Sequence, residues 1–387
     1  MSSVGKKRNS KLWRIYSMFL KEIKLISNDK FALLLIFVLP TMIMGTMYFA
    51  INQGSTIGMS NIDPTKDADA LTLGIVDIDT TDTFPGEDLS ANFTWYLQNS
   101  PQFIVILYDT EQLALEALYF DNVDAYAVLA YGFEGNITND VPAFVNLHIS
   151  STDFDSLSEV SGRFSRVVQD FRYDHGWIQG EISSRNYPEF QPEGASSLSA
   201  TFGIFMIVFA IFIAVSATAA QAIVGDIPLN RMLLTPATKM EAILAKVLGY
   251  FMIGMLQAQF LLVLWMTLFN IDLWHQFLNL NIILGLLSLS GASLGVLIST
   301  LVQTRLQANQ SFLFLMFGST IIGTGFLDVG IIDDIFPVSM GRVMMVDIAF
   351  KNIAAIEFLG DMYLMLIMSL AFIIISWLIF VKKTTLA

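Results

Sequence analysis

Six long stretches of this chain contain no charged residue, and they constrain its fold more than any other feature. A helix needs roughly 20 mostly apolar residues to cross the hydrocarbon core of a bilayer. The stretches run through Phe31 to Ile51, Ser197 to Val224, Val247 to Phe269, Ile282 to Val302, Ala308 to Phe326 and Met362 to Val381. They predict an α-helical polytopic membrane protein with six transmembrane helices, the last five within residues 197–387.

Positively charged residues indicate which side of the membrane each segment faces. Eight of the 21 Lys and Arg residues precede the first stretch. Others follow the second, fourth and sixth stretches, at Arg231, Lys239, Lys246, Arg305, Lys382 and Lys383. Because cytoplasmic segments are enriched in Lys and Arg, we expect a multi-pass plasma-membrane protein with both termini in the cytoplasm. The net charge of −13 then comes from acidic residues concentrated on the outside.

Residues 1–30 are predicted to form a cytoplasmic interfacial segment with one basic amphipathic helix, from Lys11 to Asn28. Its apolar face contains Leu12, Tyr16, Phe19, Ile23 and Ile26. Its polar face contains Arg14, Ser17, Lys21, Lys24 and Asn28. A helix of this kind lies along the membrane surface, where Arg14, Lys21 and Lys24 face water. The alternative is a helix packed on a soluble domain.

Residues 52–196 lie between the first two stretches and are long enough to fold as an inserted extracellular domain. Strands are predicted at Leu71 to Val76 and Phe103 to Tyr108, a helix from Glu111, and further strands at Ala125 to Phe133 and Pro142 to Ser150. A long helix follows from Asp155, with Leu157, Val160, Phe164, Val168 and Phe171 on one stripe. The expected fold is α/β, with the order β-α-β-β-α from the second strand onward.

The segment after the fifth stretch, residues 327–361, is amphipathic without an apolar run long enough to span a membrane. It predicts short helices at, or dipping into, the outer leaflet, interrupted at Pro337. The alternative is an exposed loop.

Several chemistries are excluded by what the sequence lacks. It contains no Cys, and His148, His175 and His275 lack the spacing of metal ligands. No G-x-x-x-x-G-K-[ST] phosphate loop occurs. The apolar stretches contain no ionisable residue of the kind that marks a proton path. We therefore predict no catalytic, cofactor-binding or metal-binding residue in this chain, no nucleic-acid partner, and an energy source in a partner protein.

Uncharged polar residues do occur within the apolar stretches. Gln257, Gln259, Asn309 and Gln310 are candidates for a substrate path, although packing between helices is the alternative for each. Gly285, Ser288, Gly291 and Gly295 are predicted to mediate close helix packing, because small residues let helix backbones approach each other.

Residues 225–246, between the second and third stretches, are longer than a simple turn requires. Thr238 and Glu241 form a T-x-x-E capping box that starts the next helix. Thr235 and Pro236 are a boundary signal just before it. The residues between Asp226 and Leu234 can form a short helix that exposes Asn230 and Arg231. Such a bounded helix suits transmission of force from a soluble partner, and a capped turn is the alternative.

The run RMLLTPATKMEAILAKVLGY resembles the cytoplasmic segment of ABC type 2 permeases, the membrane subunits of type V ABC exporters. Its matching residues are Leu233, Leu234, Thr235, Pro236, Glu241 and Lys246. KEIKLISNDKFALLLIFVLPTMIMG is similar to the interfacial helix and first span of that family. Gly132, Phe133 and Asp153 resemble recurring positions in the exterior domain of its large-loop branch.

This resemblance implies a permease subunit, itself not an enzyme, that moves a hydrophobic or amphipathic substrate out of the cell. Two such subunits would pair in the bilayer, as a homodimer, above two ATP-binding subunits that hold ATP and Mg. The coupling residues it implies are Asp226, Asn230, Arg231, Leu233, Leu234, Thr235, Pro236 and Glu241. The alternative is a membrane-anchored receptor or scaffold, whose extracellular domain binds a partner without transport.

Overall fold

A computed structural model describes residues 11–52, 70–152, 156–177, 180–190, 197–224, 226, 238–323 and 330–382. The chain divides into two compact units. The helical unit comprises Met1–Ser55, Glu193–Ala195 and Ser199–Ala387, and the sheet unit comprises Thr56–Pro192 with Ser196–Leu198. Each unit has its own hydrophobic core.

The helical unit begins with α1 (Lys11–Asn28), whose bounds are those that the amphipathic pattern predicts. A helical rod follows, made of α2 (Lys30–Leu33), a π-helical segment (Leu34–Val38) and α3 (Leu39–Asn52). The rod covers the first predicted span. Pro40 is the second residue of α3, directly after the π-helical segment.

The sheet unit is a five-stranded mixed sheet with strand order β2-β1-β3-β4-β5. Its elements in chain order are β1 (Leu71–Asp77), α4 (Leu89–Asn99), β2 (Phe103–Leu107), α5 (Glu111–Tyr119), β3 (Ala125–Leu129), α6 (Phe133–Thr138), β4 (Ala143–Ser150), α7 (Ser156–Asp174) and β5 (Ile182–Glu189). Strands β1, β2 and β3 are parallel, β4 is antiparallel to β3, and β5 is parallel to β4.

The predicted set of four strands and two helices is incomplete, because the structure adds α4, α6 and β5. Helix α4 buries Leu89, Phe93 and Leu97 at a four-residue spacing, but Ser, Asn and Thr between them weaken the pattern. Strand β5 (ISSRNYPE) is a polar edge strand without alternating apolar residues. The predicted stripe of α7 is confirmed, and its Phe164 and Phe171 pack edge-to-face on Phe93.

The loop after β1 is held on the start of α6 by two carboxylates. Asp79 accepts hydrogen bonds from the amides of Gly132 and Glu134 at 3.0 and 2.9 Å. Glu134 is buried and accepts in return from the amides of Phe84 and Leu89. Burial raises the pKa of Asp79, but hydrogen bonds from Glu134, Thr81 and Gly132 lower it by more, so the pKa lies below its ordinary value.

Asp79→Asn is expected to destabilise this loop by about 1 to 3 kcal/mol at neutral pH, because ionised acceptors make the stronger hydrogen bonds. The folded pKa of Asp79 is lowered, so its stabilisation is complete above the unfolded pKa of about 4 and is lost as the pH falls through the folded value. Hydrogen exchange at pH 7 should show faster opening of residues 130–138 in this variant.

The matched control is Asp109→Asn, which alters an exposed carboxylate in the same unit. Exchange at pH 7 that is equally fast in both variants would show that the Asp79 charge does not hold the loop.

The remaining helices belong to the helical unit. They are α8 (Ser197–Ala219), α9 (Lys239–Phe269), α10 (Phe277–Leu301), α11 (Arg305–Gly323), α12 (Ile331–Ile335), α13 (Pro337–Phe350) and α14 (Leu359–Lys382). Among the described residues, four helical segments have the length and apolar composition of membrane spans: Phe202–Ala219, Lys239–Phe269, Trp274–Leu301 and Ala355–Lys382.

The first and fifth predicted spans fall short of that standard. In the first predicted span, the π-helical segment divides the helix into short pieces. The apolar helical stretch there is Ile36–Thr46, which is too short to cross a membrane. The fifth overlaps α11, whose first two turns contain Arg305, Gln307, Asn309 and Gln310, and its last three residues lie outside the described residues. The count of six spans therefore stays a prediction.

The described part of the predicted outer segment is helical rather than an exposed loop. Pro337 is the first residue of α13 and so begins a helix, where its missing amide is tolerated. Helix α13 is largely buried and packs against α10. Its Asp347 and the following Lys351 form a buried ion pair at 3.3 Å.

The predicted packing role is confirmed for Ser288, Gly291 and Gly295 of α10. A Cβ atom at Gly295 would lie 2.5 Å from the Ser216 carbonyl oxygen of α8, and one at Gly291 would lie 3.0 Å from that of Phe212. Ser288 donates a hydrogen bond to the Phe251 carbonyl of α9 at 3.0 Å. A Cβ atom at Gly285 would instead make an ordinary contact with the flexible side chain of Met255, whose sulfur would lie 3.4 Å away.

Candidate functional site: a buried charge cluster

Helix α1 packs along the first half of α9. Its residues Met18, Glu22 and Ile26, spaced four apart, are buried in the helical unit. The close approach depends on Gly249 of α9, because a Cβ atom there would lie 3.0 Å from the Cβ of Glu22. The position of α1 is therefore determined by protein contacts.

Six charged residues connect α1 to both ends of the segment between α8 and α9. We call them the charge cluster: Arg14, Lys21, Glu22, Asp226, Glu241 and Lys246. Arg14 binds Glu241 through two hydrogen bonds, Nη2 to Oε1 at 2.7 Å and Nε to Oε2 at 3.1 Å. Paired bonds of this kind fix geometry as well as adding energy.

The same Glu241 also completes the predicted capping box. Its carboxylate accepts from the Thr238 amide at 3.1 Å, while the Thr238 hydroxyl accepts from the Glu241 amide at 3.2 Å. The capping box is thus confirmed. Arg14 consequently binds the group that defines where α9 begins.

Lys246 lies at the centre of the cluster and binds two carboxylates. Its Nζ lies 2.8 Å from Asp226 Oδ2 and 3.0 Å from Glu22 Oε1. Lys21 contacts Asp226 at 2.7 Å and Glu22 at 3.4 Å. The side chains of Lys246, Glu22 and Asp226 are only 3%, 4% and 2% exposed. Two lysines therefore neutralise two carboxylates away from water.

Electrostatics couples the members of this cluster tightly. Burial raises the pKa of the Asp226 carboxyl, but Lys246 and Lys21 lower it by more, so the pKa lies below its ordinary value. Removing one partner of a buried ion pair commonly costs about 3 to 5 kcal/mol, because a charge is left buried and uncompensated. These ion pairs consequently fix α1 to Asp226 and to the start of α9.

The surroundings of several α1 side chains differ from those that the amphipathic pattern predicts. Arg14 and Lys21, which the pattern assigns to water, bind carboxylates of the helical unit. Lys24 is exposed, as expected. Leu12 and Tyr16 of the predicted apolar face are exposed, as are the neighbouring Trp13 and Leu20. The exposed apolar side chains suit contact with lipid. Arg14 and Lys21 instead bind carboxylates elsewhere in the same chain, which the periodicity of the helix cannot reveal.

Of the predicted coupling residues, Asn230, Arg231, Leu233, Leu234, Thr235 and Pro236 lie outside the described residues. Asp226 and Glu241 are described and belong to the charge cluster. Glu22 and Lys246 are cluster members absent from the predicted coupling set. The sequence feature that could have identified Glu22 is its position on an otherwise apolar face of α1, four residues from both Met18 and Ile26.

The polar residues proposed for a substrate path have different surroundings. Gln257 is fully buried and donates to the Ile36 carbonyl at 2.8 Å, a contact between α9 and the π-helical segment. Gln259 hydrogen-bonds Asn281 of α10. Asn309 accepts from Gln221 at 2.8 Å, and Gln310 is exposed. Gln257 and Gln259 thus bond neighbouring helices, whereas Asn309 lies at the surface.

Metal chemistry finds no support in the described part of the chain. No group of three or more His, Cys, Asp or Glu residues there is arranged to hold a metal ion. The charge cluster contains three carboxylates, but each one is bound by Lys or Arg. The cluster joins α1, Asp226 and α9 through ion pairs.

These observations define first a class of protein. Helices of spanning length, apolar on their surfaces, make this a membrane-embedded protein. The sequence profile described as "ABC-2 family transporter protein" matches residues 30–378. The chain therefore belongs to the ABC-2 transporter family, which supplies the membrane component of ABC transporters and associates with an ABC ATP-binding subunit. No curated protein and no solved structure matches the chain.

Proposed function

We propose that this chain is the permease subunit of an ATP-driven exporter and that the charge cluster connects its coupling loop to α1. The observation that carries this proposal is the position of Asp226 and Glu241. They lie on either side of residues 227–237, and α1 binds both of them, through Lys21 and Arg14. Any force applied to that loop is then shared with α1.

The family supports a soluble ATP-binding subunit as the source of the force. In this proposal, two such subunits dock on Asn230 to Pro236 of two paired permeases, with Leu233 and Leu234 filling a groove. ATP-driven closure moves the loop, and the charge cluster transmits the movement to α1 and to the rod of α2 and α3. A hydrophobic or amphipathic substrate then leaves outward, past a sheet unit on the outer side.

Placing charges on the proposed docking surface tests this function. Leu233→Asp with Leu234→Asp should abolish copurification of the ATP-binding subunit and reduce ATP hydrolysis in the eluate to background, because two buried charges oppose docking. The measurement is affinity purification from the native cells in mild detergent, followed by mass spectrometry and an ATPase assay.

Leu278→Asp is the control, since it places the same charge on an exposed leucine in the first turn of α10. Copurification that persists in the double variant would remove the proposed docking site. An eluate of the unaltered protein without any ATPase would instead support a receptor or scaffold.

A further inference from the structure

A cavity of about 370 Å³ lies beside the charge cluster within the helical unit. Its walls come from α1, the turn after α1, the end of α8, α9 and the first turns of α11. The chemically informative lining residues are Glu22, Asp29, Asp226, Arg305, Phe312 and Leu313. A volume of this size holds a small ligand or a lipid headgroup.

The charged residues around this cavity form two groups, each with equal numbers of positive and negative charges. Glu22 and Asp226 are bound by Lys21 and Lys246, so this part of the wall has no net charge. Asp29 and Arg305 are the other charged lining residues, of opposite sign and on different elements. Asp29 lies between α1 and α2, and Arg305 is the first residue of α11. A purely anionic ligand would be attracted by Arg305 and repelled by Asp29, and a purely cationic ligand would experience the reverse.

The cavity is also graded from polar to apolar along α11. Arg305 and Asn309 line it in the first turns, and Phe312 and Leu313 line it further along the helix. Eight residues of α-helix separate Arg305 from Leu313, a rise of about 12 Å. Leu25 and Leu313 are 43% and 47% exposed. Apolar surface therefore continues from the cavity toward the surface of the unit.

We propose that this cavity binds a zwitterionic amphiphile. Its cationic amine lies against Asp29, its anionic group lies against Arg305, and its hydrocarbon chain follows Phe312 and Leu313. This chemistry is shared by a resident phospholipid of the bilayer and by a transported amphiphile. The proposal deepens the function proposed above, but binding itself requires no ATP-binding subunit.

The occupant would also contact the charge cluster. Glu22 and Asp226 line the cavity and hold α1 through Lys246 and Lys21. A bound head group would therefore lie beside the ion pairs that position α1. If the occupant is the transported substrate, its binding would change the electrostatic environment of Glu22 and Asp226 and thereby affect the position of α1.

The test is equilibrium binding of radiolabelled lysophosphatidylethanolamine to the purified full chain in detergent. It is compared with lysophosphatidylglycerol, which lacks the amine, and with dodecylamine, which lacks the anion. The zwitterion should bind about tenfold more tightly than either, since each loses one charged contact. Arg305→Gln and Asp29→Asn should each weaken its binding by about tenfold.

Lys382→Gln removes an exposed cation outside the cavity and should bind as the unaltered chain does. Both cavity substitutions are at exposed positions, and unchanged unfolding temperatures verify that the variants fold. Equal binding of the three amphiphiles, or full binding by both Arg305→Gln and Asp29→Asn, would overturn the proposal.

The two sources of the ligand are separated with the ATP-binding subunit present. Stimulation of ATP hydrolysis by lysophosphatidylethanolamine, lost in Arg305→Gln, identifies the occupant as cargo. Binding without stimulation identifies a resident lipid, and both results support the site. A failed ATPase assay leaves the binding measurement intact, so failure of the exporter function is distinguishable from failure of the cavity.

Discussion

Lys246→Met is expected to release α1 from the helical unit and to abolish ATP-driven transport. The substitution keeps the length of the side chain but leaves Glu22 and Asp226 buried with Lys21 as their remaining described cation. One buried negative charge is then uncompensated, at a cost of about 3 to 5 kcal/mol. That cost is a large part of the stability of an ordinary domain.

Hydrogen exchange of residues 11–28 measures this release directly, because an undocked α1 exchanges faster than a packed one. Transport-coupled ATP hydrolysis should be lost in parallel, since the loop is then no longer held to α1. The unfolding temperature of the purified chain provides an independent measure of the lost ion pairs.

The double variant Glu22→Gln with Lys246→Met is the matched control. It leaves Lys21 and Asp226 as a balanced pair at 2.7 Å, so much of the stability should return although Lys246 is still missing. A single variant as stable as the unaltered chain, or a double variant no better than the single one, would show that charge balance does not hold α1.

Gly295→Ala is expected to destabilise the helical unit by about 1 to 3 kcal/mol, the usual cost of overpacking a tight interface. The added methyl would lie 2.5 Å from the Ser216 carbonyl oxygen and 2.6 Å from the Ala219 Cβ. The first of these atoms belongs to the backbone of α8, so it cannot rotate away. Relief requires α8 and α10 to separate along their whole contact.

Gly318→Ala isolates the packing effect from backbone entropy. Gly318 is also inside a helix, α11, and a Cβ atom there would meet nothing within 4 Å. Alanine favours helix over glycine by about 0.5 to 1 kcal/mol, so this variant should be neutral or slightly stabilised. Unfolding temperatures in one detergent compare the two. Equal behaviour would contradict close packing at Gly295.

Local sequence signals predicted the elements whose stabilising contacts lie within a few residues. The amphipathic period gave the bounds of α1, and the spacing of Thr238 and Glu241 gave the capping box. Elements with mixed or polar patterns, such as α4 and β5, were not predicted, because burial of α4 and pairing of β5 supply what their sequences do not signal.

The sequence by itself determined that this is a membrane protein that also contains an α/β unit, because apolar runs and short-range periodicities reflect burial directly. Only the tertiary structure decided the charge cluster. Arg14 and Glu241 are 227 positions apart, and Glu22 and Lys246 are 224 apart. Pairs so distant meet only after α1 has packed on α9 through Gly249, and no local pattern specifies which opposite charges that packing brings together.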